Sequence, residues 1–226
     1  MRRSPDRFVI RRALLAGLAS LAAAPAWAAP RRKVVTVLGD SITAGLGLPA
    51  SAALPAQLEA ALARLKVGAV VRGAGVSGDT TADGLARLDF SVQADTALCL
   101  VALGGNDLLQ GLDPQTTRAN LQAIVRRLKA RRITVLLAGL AAPKAVGAHY
   151  ARDFNAVFAA VAAAEHVPLY PDLMAGVGPG LRQGDGVHPS AAGVKVIAGR
   201  LAPLVARTLG AHAPAAHTPR GSKARR

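Results

Sequence analysis

The chain of 226 residues is poor in aromatic side chains, in acidic residues and in cysteine. Aromatics make up 3% of it, Asp and Glu number 13 against 28 Lys and Arg, and there is 1 cysteine. A lone Cys99 excludes an intrachain disulfide, so an exported form would depend on its core for stability. Its place in the apolar run Ala97-Leu98-Cys99-Leu100-Val101 reads as a small buried hydrophobe rather than a reactive thiol. Scarce aromatics leave few stacking platforms for single-stranded nucleic acid, and no nucleic-acid module is visible. The net charge of +15 therefore does not argue for a nucleic-acid partner. The phosphate-loop pattern Gly-x-x-x-x-Gly-Lys-Ser/Thr is also missing.

What is there begins with the two termini, where much of the positive charge lies. Residues 1–28 hold Met1-Arg2-Arg3, Arg11-Arg12, an apolar run over 13–24, and Ala26-Trp27-Ala28. A charged start, a short apolar stretch and a small-x-small site predict a cleaved export signal, with cleavage after Ala28. The run is shorter than the ~20 residues a membrane span needs. Arg11-Arg12-Ala13-Leu14-Leu15 also resembles a twin-arginine signal, and the expected destination is the periplasm. Residues 211–226 carry Arg220, Lys223, Arg225 and Arg226 without periodicity. They predict a disordered basic tail, able to make weak contact with anionic envelope surfaces. Residues 29–210 have the size of one domain.

Inside that domain, short apolar runs alternate with helix-length amphipathic stretches. Strands are predicted at 33–38, 67–72, 96–103, 133–138 and 167–170. Most read as continuous rather than alternating apolar runs, which indicates strands covered on both faces. Helices are predicted at 51–65, 80–88, 114–130, 150–164 and 190–209, the third capped by Asp113 ahead of Pro114. This order implies a three-layer α/β/α domain on a five-stranded parallel sheet, flavodoxin-like in architecture. Ligands in such sheets sit at the C-terminal ends of strands. Residues 140–149, with Pro143, Gly147 and no periodicity, predict a substrate-binding loop.

Four blocks fall where strands are expected to end. They are Gly39-Asp40-Ser41-Ile42-Thr43-Ala44-Gly45, Gly75-Val76-Ser77-Gly78-Asp79-Thr80-Thr81, Gly104-Gly105-Asn106-Asp107 and Asp185-Gly186-Val187-His188-Pro189. Serine is a poor nucleophile unless a base accepts its proton, and the base needs a fixed tautomer. Ser41 as nucleophile, His188 as base and Asp185 as orienter would supply all three groups. Backbone N–H groups of Ser41 and Gly78, with the Asn106 amide, would serve as oxyanion donors. Asp40, Asp79 and Asp107 read as shaping the loops, and Asp172 lacks a nearby base. His149 falls in the predicted substrate loop and reads as solvent-facing, and His166 falls at a helix C-terminus.

Each block alone has a plainer reading. Gly73 to Gly78 fits Gly-x-Gly-x-x-Gly, but Asp95 precedes the next strand rather than ending it, which disfavours a dinucleotide site. No second His or Cys lies at metal-ligand spacing from Asp185 and His188, so no metal is expected.

Together and in this order the blocks resemble the GDSL/SGNH hydrolases. Thr80-Thr81-Ala82-Asp83-Gly84-Leu85-Ala86-Arg87-Leu88 looks like the branch of periplasmic thioesterases, lysophospholipases and arylesterases. The resemblance implies the SGNH-hydrolase fold and the same donor trio of Ser41, Gly78 and Asn106. It also implies ester or thioester cleavage through an acyl-enzyme, on small acyl substrates and without a cofactor. Two other functions fit the scaffold: a carbohydrate acetyl esterase, and a non-catalytic flavodoxin-like module binding an anion at its glycine-rich loops.

Overall fold

In the computed structural model, which describes residues 32–210, five apolar runs form strands. They are β1 (Lys33–Gly39), β2 (Ala69–Gly75), β3 (Thr96–Ala102), β4 (Thr134–Ala138) and β5 (Leu169–Tyr170). The strand order is β2-β1-β3-β4-β5, and every pair is parallel. The expected signal at 1–28 and basic tail at 211–226 lie outside the described residues. The apolar runs are continuous because both sheet faces are buried. Leu98, Leu100 and Ala102 enter one core layer, while Cys99, Val101 and Leu103 enter the other. A fully buried leucine contributes roughly 1.5–3 kcal/mol. The buried hydroxyls of Thr36 and Thr96 satisfy each other at 2.8 Å across β1 and β3.

Among the described residues eight α-helices complete the layers: α1 (Ser41–Ala44), α2 (Leu54–Arg64), α3 (Thr81–Ala86), α4 (Leu88–Ser91), α5 (Gly105–Leu109), α6 (Pro114–Ala130), α7 (Ala148–Glu165) and α8 (Ala191–Thr208). Leu54, Leu58 and Leu62 of α2 meet Val194, Ile197 and Leu201 of α8 on one face. Leu121, Ile124 and Leu128 of α6 meet Phe154, Phe158 and Val161 of α7 on the other. Asp113 caps α6 by accepting from Gln115 N–H at 2.9 Å, with Pro114 in the first turn where its missing N–H costs nothing.

Several boundaries differ from expectation. Strand β2 runs to Gly75 rather than ending at residue 72, because Gly73 and Gly75 pair with Val37 and Gly39. These glycines read as a loop, yet the sheet requires one of them. A Cβ on Gly75 would stand 2.4 Å from Ala44 N, so α1 lies directly on the β2 backbone. The stretch 80–88 is not one helix but α3 and α4, joined at Arg87. The stretch 51–65 splits into a 3₁₀ turn, Ala50–Ala52, and α2. The loop at 140–149 contains a 3₁₀ turn, Lys144–Val146, and yields its last two residues to α7. Helices α1 and α5 were not expected; at 4 and 5 residues they are too short to carry a helical period.

The chain passes from β1 to β2 on one side, then crosses to β3 on the other. That reversal opens a crevice beyond the C-terminal ends of β1 and β3. Ser41 follows the first of these strands and Asn106 the second.

Candidate active site

Ser41 is the first residue of α1 and is 8% exposed. Asp40 caps the helix by accepting from Ile42 N–H at 3.0 Å. Gly45, at φ +77°, closes the turn by donating to Ser41 O at 3.0 Å. Glycine suits this left-handed position because it has no Cβ to clash.

His188 arrives from a loop ahead of α8. Its Nε2 lies 2.8 Å from Ser41 Oγ, and its Nδ1 lies 2.6 Å from Asp185 Oδ2. Asp185 Oδ1 accepts from the backbone N–H groups of Val187 at 2.8 Å and His188 at 3.0 Å. The bond to the His188 side chain, followed by these two donors, holds the Asp185 carboxyl down at about 2. An ionised carboxylate only accepts, so Nδ1 carries the proton and the Nε2 lone pair faces the serine hydroxyl. The three predicted groups are thus hydrogen-bonded in series.

Asn106 lies in α5 and donates from Nδ2 to Asp79 O at 2.8 Å. A side-chain amide has two N–H groups, so one remains available. No hydrogen bond to another described residue uses the N–H of Ser41 or of Gly78. Gly78 has φ +90°, accessible to glycine at little cost. Ser41, Asn106 and His188 line one cleft of about 350 Å³. Gly78 is exposed on the adjoining loop and does not line it.

The cleft walls are largely apolar, with Ile42, Leu108, Leu109, Met174 and Val187. The predicted substrate loop contributes Leu140, Ala141 and Pro143. His149 is not in that loop but in α7, where its exposed side chain approaches Asp153 Oδ2 at 3.3 Å. Asp172 also lines the cleft, and its Oδ1 accepts from Met174 N–H at 3.0 Å. A larger groove of about 810 Å³ runs along α2 and β2, but it includes neither Ser41, Asn106 nor His188.

The neighbouring aspartates shape the loops. Buried Asp107 accepts from Thr81 N–H at 2.8 Å and Thr117 Oγ1 at 3.1 Å, tying the third block to the second. Burial pushes the Asp40 carboxyl up to about 6, against the pull of the Ile42 N–H. Burial likewise pushes the Cys99 thiol up to about 12, in keeping with a packing role. His166 ends α7 in the left-handed conformation at φ +53°. Asp95 pairs with Arg72 through two bonds of 2.8 and 2.9 Å.

Three further residues support the site, and of these only Arg87 falls in a stretch that carries the family resemblance. Asn155 of α7 brackets the substrate loop, accepting from Ala142 N–H at 2.7 Å and donating to Ala142 O at 3.3 Å. Gln183 links the His188 loop to the segment after α1, and Arg87 links the first two blocks. All three act on backbone groups, which sequence identity does not mark.

The profile of the GDSL-like lipase/acylhydrolase family matches residues 37–196. The esterase TesA of Pseudomonas aeruginosa is 40% identical over 163 residues, covering 71% of this chain and 81% of that protein. Thioesterase 1/protease 1/lysophospholipase L1 of Escherichia coli is 39% identical over 157 residues, 68% of this chain and 74% of that protein. The crystal structure of AlinE4, an SGNH-hydrolase family esterase, superposes with a TM-score of 0.68 at 40% identity, spanning 80% of this chain and 99% of that one. The chain belongs to the GDSL-like lipase/acylhydrolase family and has the SGNH-hydrolase fold.

Proposed function

We propose that this protein cleaves carboxylic esters and acyl thioesters through an acyl-enzyme on Ser41. As a member of its family it is a carboxylic ester hydrolase. The observation that carries the residue assignment is the 2.8 Å bond from Ser41 Oγ to His188 Nε2, across 147 positions of sequence. Ser41 Oγ attacks the acyl carbon while His188 Nε2 takes the hydroxyl proton. Asp185 stabilises the resulting imidazolium and holds its orientation. The oxyanion meets the N–H groups of Ser41 and Gly78 and the Asn106 amide. Collapse expels the alcohol or thiol, which receives the proton from His188. Water, deprotonated by the same imidazole, then releases the acid. These side chains supply the whole sequence of proton transfers, so the reading includes no cofactor.

The apolar cleft beside Ser41 supports an acyl group as the part of the substrate it holds. Ser41→Ala is expected to abolish hydrolysis of p-nitrophenyl esters and labelling by a fluorophosphonate probe, with a native circular dichroism spectrum. Retained turnover removes Ser41 from the mechanism. Rates on a series from acetyl to octanoyl, as oxygen esters and thioesters, assign the preferred class. An acetyl-only profile favours the carbohydrate acetyl esterase instead.

The reading extends to export, on the charged start, apolar run and Ala26-Trp27-Ala28 site. N-terminal sequencing of protein from the periplasmic fraction is expected to begin at Ala29. An intact Met1 in that fraction refutes cleavage. The basic tail is proposed to contact anionic envelope surfaces, and deleting 211–226 is expected to reduce binding to anionic vesicles.

A further inference from the structure

Arg87 stands at the joint between α3 and α4, with its side chain 19% exposed. Its guanidinium reaches four acceptors. Nε donates to Asp79 Oδ2 at 2.5 Å, and Nη2 donates to Gly39 O at 2.8 Å. Nη1 donates to Ala74 O at 3.0 Å and to Ser91 Oγ at 2.9 Å. Four of its five N–H groups are therefore engaged.

The positions of those acceptors matter more than their number. Gly39 is two residues before Ser41. Asp79 directly follows Gly78. Asp79 also presents the backbone carbonyl that accepts from Asn106 Nδ2 at 2.8 Å, and that bond sets where the second amide N–H points. Each of the three proposed oxyanion donors is thus within two residues of, or bonded to, a residue that Arg87 holds. The two loops also meet through Val76 N–H and Gly39 O at 3.1 Å. One such bond fixes a separation, whereas a planar fork with several directions fixes an orientation.

We infer that Arg87 is a positioning residue that sets the mutual geometry of the oxyanion donors on Ser41, Gly78 and Asn106. This rests on the acyl-enzyme reading above. Lysine cannot replace it, because one ammonium on a flexible stem does not span four acceptors lying in different directions. Asp79 is itself only 12% exposed, so losing the guanidinium leaves a largely buried carboxylate without its counter-charge. The donors strengthen their contacts as charge develops on the substrate oxygen. Misplacing them therefore lowers kcat rather than raising KM.

A double-mutant cycle on p-nitrophenyl ester hydrolysis by the full chain tests this. Arg87→Lys is expected to lower kcat by about 10- to 100-fold, with KM changed less than about twofold. The pH midpoint of kcat/KM is expected to stay in place, since Ser41, His188 and Asp185 are untouched. Asn106→Ala is expected to cost about 10²–10³ in kcat in the parent chain but about tenfold or less beside Arg87→Lys. Equal costs in both backgrounds, or a parental kcat for Arg87→Lys, overturn the inference. Where Arg87→Lys lacks a native circular dichroism spectrum, Asp79→Asn replaces it in the cycle, because it removes the charge pair and keeps the carbonyl that Asn106 uses. Parent protein that neither hydrolyses esters nor takes the fluorophosphonate label at Ser41 refutes the acyl-enzyme reading itself. Labelled, active parent protein with an additive cycle refutes only the role of Arg87.

Discussion

The side-chain amide of Gln183 donates to the carbonyl of Leu46 at 2.8 Å, across 137 positions of sequence. The same Nε2 donates to Pro189 O at 3.1 Å, and Gln183 N–H donates to His188 O at 2.8 Å. Gln183 therefore clips the loop that carries His188 to the segment that follows Ser41. Gly47 leaves room for this, since a Cβ there would stand 2.4 Å from Gln183 Oε1. The clip fixes how far the imidazole stands from the hydroxyl.

Gln183→Ala removes both side-chain bonds and keeps the backbone one. It is expected to lower kcat about tenfold through misplacement of His188. The stability cost is expected at about 1–2 kcal/mol for two net hydrogen bonds. Steady-state kinetics and urea unfolding measure the two effects. Full kcat in the variant means that the backbone bonds alone hold the loop.

Asp185→Asn keeps the size of the side chain and loses its charge. An amide can face Nδ1 with either its oxygen or its N–H, so the productive tautomer is no longer enforced. The expected loss in kcat is about 10³–10⁴, with KM little changed. Fluorophosphonate labelling of Ser41 is expected to slow in parallel, and an unchanged labelling rate contradicts the assigned role.

Asp40 gives a pH dependence of stability. Its carboxyl is pushed up to about 6 in the folded protein, chiefly by burial, against about 3.9 unfolded. The folded state then binds the proton more readily, so stability falls as pH rises from about 4 through about 6. Above that window the penalty is complete. Asp40→Asn keeps Oδ1 as the acceptor for Ile42 N–H. It is expected to gain about 2–3 kcal/mol over the parent near pH 7.5, and nothing near pH 4. Urea midpoints at the two pH values measure the gain, and an equal effect at both contradicts it.

Gly75→Ala places a methyl against Ala44 N, Asp40 O and Thr43 C, all backbone atoms within 2.8 Å of the built Cβ. Helix α1 must then lift from β2 and carry Ser41 with it. The expected cost is about 1–3 kcal/mol of stability, with a fall in kcat larger than any change in KM. Thermal unfolding and kinetics on one ester measure both. A variant with parental kcat means that α1 shifts without moving Ser41 Oγ.

The sheet and the reacting groups were legible because their signals are local. A strand buried on both faces must be apolar at each step, so 96–103 and 133–138 read directly as β3 and β4. Asp185 and His188 share one loop, and a three-residue spacing already allows their 2.6 Å contact. Elsewhere local signals conflict with the tertiary fold. Gly73 and Gly75 look like turn residues, yet they are strand residues, and the missing side chain of Gly75 admits α1. The 80–88 stretch has helical composition, but its helix breaks at Arg87, whose guanidinium turns to the Gly39 and Ala74 carbonyls.

Near-neighbour chemistry was enough to place the five apolar strands, the longer helices that cover them and the kinds of group available for acyl transfer, since periodicity and residue type are local properties. The tertiary structure alone decided that residues 41 and 188 stand 2.8 Å apart, and that Arg87, Asn155 and Gln183 support them. Apart from the bonds of Arg87 to Asp79 and Ser91, the supporting contacts run to backbone carbonyls and amides that every residue has, so the path of the folded chain selects which ones are used.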